Sequence, residues 1–133
     1  MYSQIDLFPK SIVANKFDYS QIASIKNIVR NSGIPINFIG YKYIIEALIY
    51  MINSEEKIFL NQIYILLSEL HKTSSECIEA SIRNAIRKAI TINNINMRKI
   101  LNIPETVNLS NSIFLNSVKE IIVEKNFKIN DIT

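Results

Sequence analysis

The chain has one cysteine, one histidine and no tryptophan among its 133 residues. A single cysteine excludes an internal disulfide and any multi-cysteine zinc site. A single histidine excludes a His-paired metal site and leaves His71 as the only imidazole for nucleophile activation. Two glycines and three prolines give little material for turns, which argues against an all-β sandwich or barrel. No apolar run approaches the ~20 residues of a membrane span. The N-terminus carries Asp6 and has no basic start before an apolar block, so it does not read as a signal peptide. No catalytic constellation is present, and no metal, cofactor or membrane partner is expected. The cytoplasm is the expected compartment.

What is present suffices for one domain. Hydrophobic residues make up 48% of the chain and charged residues 20%, enough to bury a core at this length. Residues 1–17 show no clear period, are interrupted by Pro9, and read as an arm or extension. Residues 18–133 read as a helical domain.

Apolar residues recur at helical spacing in successive segments. A first helix is expected over 18–31, with Asp18 as N-cap, Ile22, Ile25, Ile28 and Val29 inward, and Gly33 as the left-handed residue that stops it. A second spans 40–53, with Tyr41, Ile44, Ile45, Leu48 and Ile52 on one side. A third spans 59–70, with Ile63, Leu66, Leu67 and Leu70 inward. Thr73 and Glu76 have the spacing of a capping box, so a fourth helix is expected from just after Thr73 to about residue 91. A fifth over 94–101 ends before Pro104, and a sixth covers 110–125, with Phe114, Val118, Ile121 and Ile122 inward. The expected fold is all-α: six helices, no strand, and a helix-turn-helix over 59–91.

The 15 basic and 12 acidic residues leave a net charge of +3. Their distribution matters more than the sum. From Arg83 to Lys99 there are five basic residues (Arg83, Arg87, Lys88, Arg98 and Lys99) and no acidic one. A basic patch on a near-neutral body suits a nucleic-acid partner, although a solvated helix face would look the same. Helical periodicity puts Ile78, Ile82, Ala85, Ile86, Ala89 and Ile90 on one face of the fourth helix. Glu76, Cys77, Ala80, Arg83, Asn84 and Arg87 fall on the other. Arg can donate two hydrogen bonds to guanine and Asn can pair bidentately with adenine, which suits Arg83 and Asn84 to base reading. Ser74 and Ser75 stand where a helix start can hold a phosphate.

Other residues invite plainer readings. The neighbours Glu55 and Glu56 read as solvated loop carboxylates rather than an acid/base pair. Cys77, on the exposed face, has only His71 as a conceivable base, and His71 reads as a turn residue. Tyr41, Tyr43, Tyr50 and Tyr64 read as core or rim. Leu115 falls off the last helix's apolar stripe and is a candidate partner contact.

The order of these motifs resembles the C-terminal DNA-binding domain of stage zero sporulation protein A. Gly33-Ile34-Pro35, Gly40-Tyr41-Lys42-Tyr43 and Glu46-Ala47-Leu48 match its G-I/V-P turn, G-Y-x-Y helix start and E-A-I continuation. Thr73-Ser74-Ser75, Ile78-Glu79 and Ile82-Arg83-Asn84-Ala85-Ile86 resemble its recognition helix, T-T-x-S-R-V-E-R-A-I-R-H-A-I. Ser110-Asn111-Ser112-Ile113-Phe114 resembles its T-N-S-E-F opening of the last helix. The resemblance covers about residues 18–125. It implies a six-helix domain that binds a short element of double-stranded DNA near sporulation promoters, contacts RNA polymerase, and binds in tandem as a dimer with help from the last helix. The family's receiver domain normally precedes this one, and residues 1–17 are too few to contain it. The expectation is therefore a stand-alone copy not regulated by phosphorylation in cis.

The departures fall on the reading face. The family's pattern has Arg at the positions of Cys77 and Ala80, Ser at Glu76, His at Asn84, an acid at Arg87, and Lys-Pro at Asn108-Leu109. Glu79 and Arg83 remain. Each lost Arg–guanine pair removes ~1–3 kcal/mol of discrimination, from a specific margin of roughly 4–10 kcal/mol. Two function classes follow. One is a DNA-binding transcription regulator of altered or relaxed specificity, with Ser74, Ser75, Glu76, Glu79, Arg83, Asn84, Arg87, Lys88, Arg98 and Lys99 as its contact residues. The other is an interaction protein that does not bind DNA, pairs with a full-length sporulation regulator as a heterodimer, and titrates it.

Overall fold

Five helices form the computed structural model, which describes residues 19–54 and 56–132, with side chains through residue 125. They are α1 (Tyr19–Asn31), α2 (Ile39–Asn53), α3 (Leu60–His71), α4 (Ser75–Leu101) and α5 (Asn111–Ile132). No strand occurs among the described residues. The arm over 1–17, the N-cap expected of Asp18, and Glu55 lie outside them.

The sequence pattern gave α2 one apolar side, but α2 is buried on all sides. Every residue from Tyr43 to Tyr50 is buried, while Tyr41 and Ile52 at the assigned edge are only half-buried. A helix that is apolar all round must be surrounded, and α2 packs against each of the other four helices. Its entry is fixed by Gly40. A Cβ there would lie 2.1 Å from the carbonyl oxygen of Ser81 and 2.8 Å from the Cβ of Ala85, so the backbones of α2 and α4 are in direct contact. The other glycine, Gly33, ends α1 with φ +105°, the conformation its place after the helix required.

The junction between α3 and α4 is a three-residue turn over 72–74. Lys72 adopts a left-handed conformation (φ 53°) and closes α3. The Thr73 N–H donates to the Ser68 carbonyl at 3.0 Å, so Thr73 belongs to the end of α3. Capping of α4 passes to Ser74, whose Oγ accepts from the Cys77 N–H at 3.1 Å. The capping box expected between Thr73 and Glu76 is therefore replaced by a cap one residue later.

The fifth helix expected over 94–101 is joined end to end with the fourth. It continues α4 beyond a break at Asn93 (φ −162°, ψ 83°). The Asn93 Oδ1 accepts from the Asn96 N–H at 3.0 Å, as an N-cap does. One bent helix stands where two were expected. The last helix, α5, runs to Ile132 rather than 125. Leu115, a candidate partner contact from its position off the stripe, is fully buried with Phe114, Val118 and Ile122. Because α5 packs against α1, α2 and α4, its buried arc is wider than one stripe.

A part-buried hydrogen bond between side chains ties α2 to the end of α3. Glu46 is fully buried, and the Nε2 of His71 lies 2.5 Å from its Oε2. The His71 ring also packs against Tyr43, with centroids 5.0 Å apart. Burial pushes the Glu46 carboxyl above the usual carboxylate range, opposed by the hydrogen bond and charge of His71 and by the charge of Lys42. A raised carboxyl pKa adds stability that is present below the unfolded value and lost as pH rises through the folded one. His71→Ala removes the main opposing influences. It is expected to cost about 1–3 kcal/mol near neutral pH, with a smaller deficit near pH 4–5, where Glu46 can take up a proton. Urea denaturation of both proteins at the two pH values checks this; a deficit that shrinks as pH rises would contradict it.

Candidate nucleic-acid interface

The outward face of α4 is held from behind. Ile78, Ile82, Ala85, Ile86 and Ala89 are all buried at 1% exposure or less, and Gly40 brings α2 against the same helix. With that side fixed, the helical period leaves Glu76, Cys77, Asn84, Arg87 and Lys88 exposed, with Ala80 and Arg83 half-buried among them. The expected division of α4 into two faces matches the observed burial, except that Ile90 is half-buried at the margin.

The candidate contact residues are not equivalent. Ser74 is exposed, and its hydroxyl oxygen caps the helix, leaving its O–H as a donor. Ser75 is half-buried in the first turn. Glu76, also in the first turn, places a carboxylate where the helix dipole favours one. Arg83 donates from Nη1 to Glu79 Oε1 at 2.5 Å, an i,i+4 pair in which both side chains stay over 40% exposed. Pairs this exposed contribute little to stability. Their effect here is to aim the guanidinium and to offset its charge. Arg87 and Lys88 are exposed on opposite flanks of the outward face, with Asn84 nearer Lys88.

Arg98 and Lys99 lie in the last turn of α4 and complement the helix dipole there. Lys99 is exposed. Arg98 is committed to the fold: its Nε donates to Asn94 Oδ1 at 2.8 Å, and its Nη1 donates to the carbonyls of Pro104 at 2.6 Å and Val107 at 2.8 Å. It fixes the loop that leads to α5, a role its basic character alone did not disclose.

A residue the sequence reading left without a role holds this face in register. Asn111 donates from Nδ2 to Tyr64 Oη and to the Glu79 carbonyl, both at 3.1 Å, so the start of α5 is tied to α3 and α4 together. Burial raises the Tyr64 phenol pKa, which keeps it a neutral acceptor. Ser110 beside it accepts from the Ile113 N–H at 3.2 Å as a cap. The Ser110-Asn111-Ser112 motif was the available signal; its partners lie 32 and 47 positions away and could not be read from it.

Cys77 is a free, exposed thiol, and His71 is engaged with Glu46. Among the described residues no group of three or more His, Cys, Asp and Glu is placed to hold a metal ion, and no helix is long and apolar enough to cross a membrane.

The family model described as sporulation initiation factor Spo0A C terminal matches residues 25–122 of the chain. No curated protein and no solved structure matches it significantly.

Proposed function

The chain belongs to the sporulation initiation factor Spo0A C-terminal family of helical DNA-binding regulatory domains, and we propose that it is a DNA-binding transcription regulator of relaxed sequence specificity. In this reading α3 and α4 act as a helix-turn-helix, and α4 enters the major groove by its outward face. The observation that carries the reading is that face: Arg83, Asn84, Arg87 and Lys88 stand clear of a helix whose other side is locked into the core. Arg83 and Asn84 read base edges; Lys88 and Lys99 supply charge for phosphates.

Binding of this kind is mostly electrostatic. Log affinity is expected to fall against log salt with a slope of about −0.9 per neutralised phosphate. Lys88→Ala or Lys99→Ala should weaken binding to all duplexes alike and flatten the slope by about one unit. Fluorescence anisotropy with unrelated duplexes across a salt series measures both; an affinity indifferent to salt would sink the reading.

A second reading is favoured by the Glu79–Arg83 pair, which sets a carboxylate against the Arg best suited to base contact, and by Glu76, which adds another about two turns earlier on the same face. In it the domain pairs with a full-length relative and titrates it without binding DNA. Any pairing through α5 must use its solvent side, where Val123 is 45% exposed, because Phe114, Leu115, Val118 and Ile122 belong to the core. Contact with RNA polymerase, as the family resemblance implies, would also have to use surface outside the α4 face.

A further inference from the structure

Beside the outward face of α4 lies an open cleft of about 600 Å³, bounded by the first turns of α3, the middle of α4 and the turn into α5. Three guanidinium groups line it, those of Arg83, Arg87 and Arg98, against a single carboxylate, Glu79. That carboxylate is paired with Arg83. Arg98 is half-buried and donates only to uncharged oxygens, and Arg87 has no carboxylate within ion-pair distance among the described residues. The rim adds neutral donors, the amides of Asn61 and Asn108 and the hydroxyl of Ser112. Cations clustered on one cleft raise the local concentration of anions there.

We propose that this cleft is a phosphate seat. An oxyanion there would be held by Arg87 and by the Nη2 of Arg98, whose Nε and Nη1 serve the loop, and bordered by the donors of Asn108 and Ser112. Two sources supply that chemistry: a backbone phosphodiester of bound DNA, or a free phosphorylated molecule. The DNA source, which we assign, rests on the function proposed above. It extends the interface past α4 to the start of α5, on the flank opposite Lys88. The second strand crossing would then be gripped by Arg87 of the recognition helix together with Arg98 and the loop residues beyond it.

The test uses the full chain and Asn108→Glu, which sets a carboxylate at the rim on an exposed residue. Arg87→Ala is the second variant, and Ala23→Glu, on an exposed site of α1, is the charge control. Inorganic phosphate is titrated against chloride of equal ionic strength while the backbone amides of Asn61, Asn108 and Ser112 are followed by NMR. Saturable shifts are expected in the wild type and Ala23→Glu, and their loss in the other two variants. A random-sequence duplex is then bound across a salt series. The slope is expected to flatten by about 0.9 in Asn108→Glu and to stay unchanged in Ala23→Glu once their equal charge change is matched. No phosphate shifts in the wild type would overturn the seat. Phosphate shifts with duplex binding indifferent to Asn108→Glu would overturn the DNA source and leave the seat to a free molecule. Phosphate shifts with no duplex binding at all would overturn the DNA source and the proposed function together.

Discussion

Cys77→Arg combined with Ala80→Arg is expected to raise preference for the family's DNA element over a scrambled duplex by at least about tenfold, since each bidentate Arg–guanine contact adds ~1–3 kcal/mol of discrimination. Both positions lie on the outward face of α4, Cys77 exposed and Ala80 half-buried, and the helix beneath them is fixed by the Ser74 cap and the buried Ile78 and Ile82. New side chains there project toward the duplex without displacing core atoms. Glu76 stands one turn before residue 80 and would hold the new Arg by an i,i+4 pair until DNA displaces it. Competition between the two duplexes, run for wild type and double variant at one salt concentration, reads the change. An unchanged preference would mean that α4 does not read bases.

Gly40→Ala is expected to be the most destabilising single methyl addition in the domain. The added Cβ meets backbone, the Ser81 carbonyl oxygen at 2.1 Å, which no rotamer change relieves. Overpacking typically costs 1–3 kcal/mol, and a clash with backbone belongs at or above the upper end. A loss of ~3 kcal/mol lowers Tm by roughly 10 °C in a domain of this size. Because the displaced element is α4, DNA affinity should fall as well. Calorimetry on the two proteins checks the first effect; a Tm within a degree or two of wild type would show that α2 and α4 are not in backbone contact at Gly40.

These positions show what the sequence could and could not disclose. The division of α4 into two faces was legible because Ile78, Ile82, Ala85 and Ala89 keep strict helical spacing and the basic residues avoid it. The all-round burial of α2 was not, because Ile and Asn supply 44 of the 133 residues and Ile recurs on exposed faces too, as at Ile92 and Ile95. The cap shifted from Thr73 to Ser74 because the end of α3 claimed the Thr73 N–H, a competition between neighbouring helices that a four-residue spacing cannot express. The fourth helix was expected to end near 91 and the fifth to start at 94; the break between them is the single residue Asn93, whose own side chain caps the second half and leaves no loop. Glu46, His71, Asn111 and Arg98 all work through partners distant in sequence or through loop carbonyls. Their chemistry was visible, but their roles needed the fold.

The central claim, that the outward face of α4 is a DNA-reading surface, is tested most directly by selecting bound duplexes from a random pool with the wild type and with Arg83→Ala. Arg83 is half-buried on the outward face, lies outside the core, and pairs only with Glu79 among the described residues, so its loss leaves the fold intact. The account predicts that the wild type enriches a short motif containing a guanine whose preference disappears in the variant. The same enrichment from both proteins, or none from either, would contradict it.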